Sequence, residues 1–482
     1  MSAAAATAAP PAVLGPREDT TLPARLALSA AVSGDGPVAT GRFDRWLEER
    51  RRAHGFEVHR IPFAEMDAWH FAGDTGNLVH RTGRFFTVEG LHVRTDGGPV
   101  PEWYQPIIRQ PEVGILCIVA QETDGVLRFL MQAKMEPGNS GLVQLSPTIQ
   151  ATRSNYTRVH RGAPVRYLEY VVGPERGRVV ADVLQSEHGW WFYRKNNRNV
   201  VVELDPGVEV PLHDDFCWLT LGEINTLMTR DNVINMDSRT VLSCLPAPAP
   251  GAAGEGDAFR SALAASFDPA AGALSTTAEV LSWFTGLRAD HHEVEATRVP
   301  LRDVPGWHRT DDEIVREDGR HFKVVAVSVR AGSREVGGWT QPLLEPVGRG
   351  VAAFLVREFG GVLHALAHVK VEGGFVNAVE LGPTVQCRPG NYDPADRPHF
   401  FDHVVNAAPE RIRFDAVHSE EGGRFRNAES RYMVVEADDS LPGRLPPEYA
   451  WVTVGQLAGL LRHGQYVNMH ARTLLACLSA LR

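Results

Sequence analysis

The densest chemistry in the chain lies in one stretch, Gln132-Ala-Lys-Met-Glu-Pro-Gly-Asn-Ser-Gly-Leu-Val-Gln-Leu-Ser-Pro-Thr-Ile-Gln-Ala-Thr-Arg-Ser-Asn-Tyr156. Lys134 and Glu136 share a face of any strand that passes through them. If Leu142 to Gln150 is extended, alternation puts Gln144, Ser146, Thr148 and Gln150 in one row, with Leu145 and Ile149 behind it. Solvent-facing strands usually carry Lys, Glu and Thr. A row of uncharged amides and hydroxyls suits the orientation of a polyhydroxylated ligand instead. Arg153 adds a two-pronged cation apt for a phosphate oxygen, and Ser154 and Asn155 add further hydrogen-bonding groups. Arg194, Lys195 and Arg198 follow Trp190-Trp191, and paired aromatics beside cations suit a stacked nucleobase with its pyrophosphate. A charged hairpin explains that second cluster equally well.

The elements that must hold these groups read as short strands and a few helices. Pro147 cannot donate to a ladder, so the polar strand has to run at an edge or bulge there. Asp124-Gly125 between two apolar runs is a hairpin signal. Val165 to Val172, Val179 to Gln185 and Asn199 to Leu204 read as further strands. Thr220-Leu-Gly-Glu223 is a capping box opening a helix, and a second helix spans Met236 to Leu245.

The whole pattern then starts again. Trp103-Tyr-Gln-Pro returns as Trp339-Thr-Gln-Pro, an offset of 236 residues that holds without a gap to Tyr156 and Tyr392. The offset is 233 by Asp182 and Asp415, and it persists through Asn235/Asn468, Arg239/Arg472 and Cys244/Cys477. Co-linear identity of this extent marks a tandem duplication of one α+β domain. Residues 41–245 form the first repeat and 276–482 the second. An Ala/Pro/Gly-rich linker with room for one short helix spans 246–275, and a flexible tail covers 1–40. The second copy keeps Lys370, Glu372, Thr384, Gln386 and Tyr392, but holds Glu380, Gly382, Pro389 and Gly390 where the first has Gln144, Ser146, Arg153 and Ser154. That contrast points to the first copy as the working pocket.

Composition narrows the function. The 482 residues carry a net charge of -10, which argues against nucleic acid as the main partner. The five cysteines show no CxxC or zinc spacing and read as reduced thiols. No signal peptide and no membrane-length apolar run appears, so a cytoplasmic location is expected.

The blocks Asp74-Thr-Gly-Asn-Leu78, Trp103-Tyr-Gln-Pro-Ile-Ile108, Gln132 through Asn139, Gln144 through Tyr156 and Asp182-Val-Leu-Gln-Ser-Glu187 resemble the NDP-hexose 2,3-dehydratases of deoxysugar pathways. The resemblance covers about residues 42–482. It implies a Nudix-like fold duplicated within one chain, a homodimer, a dTDP-4-keto-6-deoxyglucose substrate, no cofactor and no metal. The wider Nudix family's metal-binding box is missing, since no REXXEE follows Glu136 or Glu372. Pyrophosphate hydrolysis on a hard divalent cation is therefore not expected.

The implied reaction removes the proton at C3 and the hydroxyl at C2, and needs a base, an acid and a donor at the C4 oxygen. Lys134, Glu136, Tyr156 and Glu187 are the catalytic candidates, with His160 a further one; Lys134 and Tyr156 can stabilise an oxyanion or carry a proton, and Glu136 or Glu187 can be the base. Trp103, Gln144, Ser146, Thr148, Gln150, Arg153, Ser154, Asn155 and Lys195 are candidates for binding. A labile diketo product also implies hand-off to a 3-ketoreductase.

Overall fold

The computed structural model describes residues 18–34, 36–96, 100–153, 164–249, 257–290, 294–332 and 337–482. The first half is built on a hairpin. Strands Gly114–Thr123 and Val126–Met135 meet at Asp124-Gly125, whose φ values of 52° and 74° give the two-residue turn that matches strand twist. Asn196–Leu204 adds parallel to Gly114–Thr123, Arg178–Ser186 lies antiparallel beyond it, and Phe216–Thr220 flanks the other side. With two short strands from the polar stretch this makes a seven-stranded mixed sheet.

The second half repeats the arrangement around Gly350–Phe359 and Val362–Val371. The fold is thus α+β with two similar halves. Both capping boxes form, at Thr220/Glu223 and Thr453/Gln456. Among the described residues no helix is long and apolar enough to cross a membrane.

The halves interlock. Phe56–Ile61 of the first pairs with Phe322–Ala331 of the second, and Glu295–Val299 of the second pairs with Thr87–Arg94 of the first. Each half therefore completes the other's smaller five-stranded sheet. Two buried arginines hold the centre. Arg239 donates to the carbonyls of Ile234 (2.5 Å) and Ser419 (2.6 Å), while Arg472 donates to those of Val467 (2.6 Å) and Ser186. Each also reaches a threonine on the opposite helix, Thr473 at 3.4 Å and Thr240 at 2.8 Å. Satisfying several donors of a buried guanidinium is what makes its charge tolerable there.

Two expectations need correction. The tail contains a packed helix, Leu22–Ala31, with Leu22, Leu26 and Ser29 buried. Ser29 Oγ donates to the Leu127 carbonyl and accepts from Leu221 N–H at the start of helix Leu221–Met228. The short helix of the linker, Ala258–Ala265, is its counterpart, followed by Ser266 bonded in the same way to Leu363 and Val454. Alanine-rich composition hid the tail helix, because only a few large apolar residues anchor it. Finally, Val165 to Val172 is not a strand: the turn at Tyr167, with φ at 62°, leads into the short helix Glu169–Val172.

Candidate active site

Pro147 splits the polar stretch in two. Val143–Ser146 pairs with Val126–Met135, while Ile149–Ala151 pairs with Gly114–Thr123. The expected row is therefore not one surface. Thr148 Oγ1 stitches the sheet at the break, donating to the Leu130 carbonyl and accepting from Val119 N–H at 2.9 Å. Thr384 does the same in the second half, with Leu366 and Leu355. Ser146 is buried and donates to the Pro147 carbonyl. Gln144 faces the other half, where its Oε1 accepts from Ser419 Oγ at 2.8 Å. Glu380 accepts from Ser186 Oγ at 2.6 Å in the mirrored position. The change from Gln144 to Glu380 thus alters the junction between halves, not a pocket.

Gln150 does reach a cavity. Its Nε2 donates to Glu136 Oε1 at 2.8 Å, its carbonyl accepts from Lys134 Nζ at 2.8 Å, and its Oε1 accepts from Asn235 at 3.1 Å. Lys370, Glu372, Gln386 and Asn468 form the same network in the second half, so this set is partly architectural. Beside the first half's network lies a cavity of about 780 Å³.

That cavity draws on both halves. Glu187 and Lys195 come from one loop of the first half, and Asp237 from the start of helix Met236–Ser243. Glu421, Gly423 and Arg424 come from the matching loop of the second half. Close approach of the loop requires glycine at Gly138, whose N–H donates to the Gly422 carbonyl and where a Cβ would lie 1.6 Å from the Phe425 carbonyl oxygen. Gln341 fixes the loop by donating to the Gly423 carbonyl at 2.7 Å. Trp69, Phe85, Phe86, Phe192 and Trp339 supply aromatic walls. Trp339 stands where Trp103 was expected. Trp103 packs on Trp190 with ring centroids 5.5 Å apart and does not line the cavity.

The electrostatics are uneven. Lys195 Nζ donates to the Glu112 carbonyl and to Asn197 Oδ1, and burial pulls its ammonium down to about 8. Burial raises the Asp237 carboxyl well above the usual range, with repulsion from Glu187, Glu421 and Glu136 adding to it. Burial and the neighbouring Glu136 and Glu187 also push Glu421 up, against the pull of Arg424. Glu187 Oε1 accepts from Asn197 Nδ2 at 2.7 Å. Among the described residues Glu187 Oε2, Asp237 Oδ1 and Glu421 Oε2 are buried with no hydrogen-bond partner. Three unpartnered carboxyl oxygens beside cations call for polar partners, and a sugar's hydroxyls can both donate to them and accept from them.

The counterpart positions in the second half carry other groups. Trp191 replaces Arg424 and packs on Phe425 at 4.5 Å, with the Arg388 guanidinium 5.4 Å from its ring. Lys195 is matched by Ala428.

Comparison with known proteins decides the family. The NDP-hexose 2,3-dehydratase family model matches residues 40–245 and again 277–478. The chain is 54% identical over 473 residues to a protein of Amycolatopsis orientalis, covering 96% of this chain and 95% of that one. It is 50% identical over 460 residues to one of Saccharopolyspora spinosa (94% of each) and 49% over 446 to one of Streptomyces violaceoruber (92% and 97%). All three are named dTDP-4-dehydro-6-deoxy-alpha-D-glucopyranose 2,3-dehydratase.

The chain belongs to the NDP-hexose 2,3-dehydratase family.

For this dehydratase-family chain the cavity brings together Lys134, Glu136, Gln150, Glu187 and Lys195 from the sequence candidates. Arg153 is exposed and is not among the lining residues. Ser154, Asn155, Tyr156 and His160 lie outside the described residues. In the second half, Tyr392 follows the turn Pro389–Asn391, and burial pushes its phenol up to about 12. Asp237, Glu421, Arg424, Asn197 and Gln341 were missed. Four of them carried a signal, because the copies differ there: Asp237 against His470, Glu421 against His188, Arg424 against Trp191 and Asn197 against Ser430.

Proposed function

We propose that this chain is a dTDP-4-dehydro-6-deoxyglucose 2,3-dehydratase, removing water across C2 and C3 to give a 3,4-diketo-2,6-dideoxy sugar nucleotide. Near full-length identity of 49–54% to three proteins of that name supports the activity and substrate. The orphaned carboxyl oxygens beside Lys134, Lys195 and Arg424 are the structural observation that carries the site.

The C4 ketone acidifies the C3 proton, so the elimination needs no outside electron carrier. Glu187, with one oxygen anchored by Asn197 and the other unengaged, takes the C3 proton. The electron pair moves toward the C4 oxygen, and Lys134 stabilises the enolate charge. The pair then returns to form the C2–C3 double bond as the C2 hydroxyl leaves as water. Its proton comes from Asp237 or Glu421, whose carboxyls the surroundings keep protonated. Reprotonation at C2 converts the enol to the 3,4-diketone. Arg424 and Lys195 face the pyrophosphate, and the aromatic walls take the base.

Several finer readings belong to the same proposal. Each half is a Nudix-like unit, supported by its mixed sheet with one parallel pair and flanking helices. The protein is a cytoplasmic homodimer, supported by the family resemblance and the reduced cysteines. A 3-ketoreductase receives the labile product.

Incubation with dTDP-4-keto-6-deoxyglucose in deuterated buffer tests the function. Mass spectrometry should record loss of one water and uptake of deuterium at C2. Release of dTMP would favour a pyrophosphohydrolase, and tight binding without turnover would leave a sensor.

A further inference from the structure

The second half holds a different set of groups at the positions equivalent to Glu187, Asp237 and Glu421. These are Glu420, His470 and His188, the last contributed by the first half's loop. Their ligand atoms all lie within 4.8 Å of one another. His188 Nε2 is 3.2 Å from Glu420 Oε2, and His470 Nε2 is 3.7 Å from Glu420 Oε1. The side chains of His188 and Glu420 are 2% and 0% exposed.

We propose that His188, Glu420 and His470 form a zinc site that pins the two halves together. Two imidazoles and one carboxylate are a donor set zinc accepts, leaving a fourth position open. Ligands about 2.0–2.1 Å from a tetrahedral ion stand roughly 3.3 Å apart, against 3.2 and 3.7 Å to the two Glu420 oxygens and up to 4.8 Å across the set, so the side chains would draw in slightly on the ion. His188 Nε2 supplies the independent sign. It lies 3.2 Å from Glu420 Oε2 as a buried ion pair without a well-formed hydrogen bond. An imidazole nitrogen aimed at a carboxylate in a dry pocket, with no better partner, is placed to share a metal ion with it.

The surroundings complete a ligand shell. Ser430 Oγ donates to Glu420 Oε1 at 2.7 Å and Tyr432 Oη sits 3.1 Å from both carboxylate oxygens, fixing the carboxylate as supporting groups fix metal ligands. Lys370 and Arg388 face His470, and Glu372 faces His188. The two cations favour an anionic fourth ligand such as hydroxide or chloride. The site lies outside the proposed catalytic cavity, so the inference does not depend on the dehydratase reading.

The test uses full-length, untagged protein stripped with a chelator. Titration with Zn²⁺ alone against a chromophoric chelator should give one tight equivalent per chain. Co²⁺ should give the intense visible bands of a four-coordinate site. His188→Gln and His470→Asn should each weaken zinc binding by more than the roughly 10–100-fold seen on removing a mere supporting group. Zinc should raise the melting temperature of the wild type and not of either variant. Folded wild-type protein that takes up no stoichiometric zinc overturns the proposal, as does binding that survives in both variants. If the variants fail to fold, a cobalt spectrum of the wild type without four-coordinate intensity overturns it equally.

Discussion

Replacing Glu380 with glutamine should stabilise this protein, and by an amount that grows with pH. Glu380 is 1% exposed at the junction of the halves, where burial raises its carboxyl from an ordinary 4.5 to about 7 against the pull of Arg472. Below about pH 4.5 the folded and unfolded chains both hold the proton. Between there and about 7 the unfolded chain releases its proton while the folded one keeps it, so stability falls as pH rises. Above about 7 the penalty is complete, roughly 3 kcal/mol at about 1.4 kcal/mol per unit. At pH 5 the same arithmetic leaves about 1 kcal/mol. Glutamine fits, because the mirrored position already holds Gln144 accepting from Ser419 Oγ as Glu380 accepts from Ser186 Oγ. Urea unfolding of wild type and E380Q at about pH 5 and pH 8 measures both gaps. A variant no more stable than wild type at the higher pH, or a gap independent of pH, would refute the reasoning.

Other consequences are as direct. Values of kcat/KM should fall as pH passes about 8, because Lys195 loses its charge and Glu421 its proton over the same interval; a rate that stays flat well above 8 contradicts both assignments. Arg424→Trp places in the working cavity the residue found at the counterpart position, Trp191, and calorimetry with the sugar nucleotide should show binding lost with the melting temperature little changed. Ser29→Ala removes two buried hydrogen bonds and strands the Leu221 N–H, at a cost of roughly 2 kcal/mol in denaturant unfolding; a cost near zero would show that the helix Leu22–Ala31 is an ornament.

Much of the fold could be read from residues because local chemistry dictated it. Asp124-Gly125 requires a turn whoever its neighbours are, and Thr220 with Glu223 closes a helix start without outside help. The strand exchange could not be read this way. Phe56–Ile61 has the same alternation whether it pairs within its own half or with Phe322–Ala331, and alternation carries no partner label. The site divided along the same line. Lys134, Glu136 and Gln150 form a local network and were found together. Arg424 and Glu421 enter from the other half, at positions distant in sequence. Gln144 has the same side chain whether it serves the junction of the two halves or a sugar pocket, so its residue type does not tell the two apart. Comparing the copies position by position at Asp237, Glu421 and Arg424 would have been the better guide than the polar row.

The central claim is that one cavity, on the first half's Lys134 network, does the chemistry. Its most direct test is the rate of water loss from dTDP-4-keto-6-deoxyglucose by Lys134→Ala and Lys370→Ala measured side by side. Removing Lys134 should cost roughly 100-fold or more, while Lys370→Ala should stay within a few-fold of wild type. Equal losses from the two, or a greater loss from Lys370→Ala, would contradict the account.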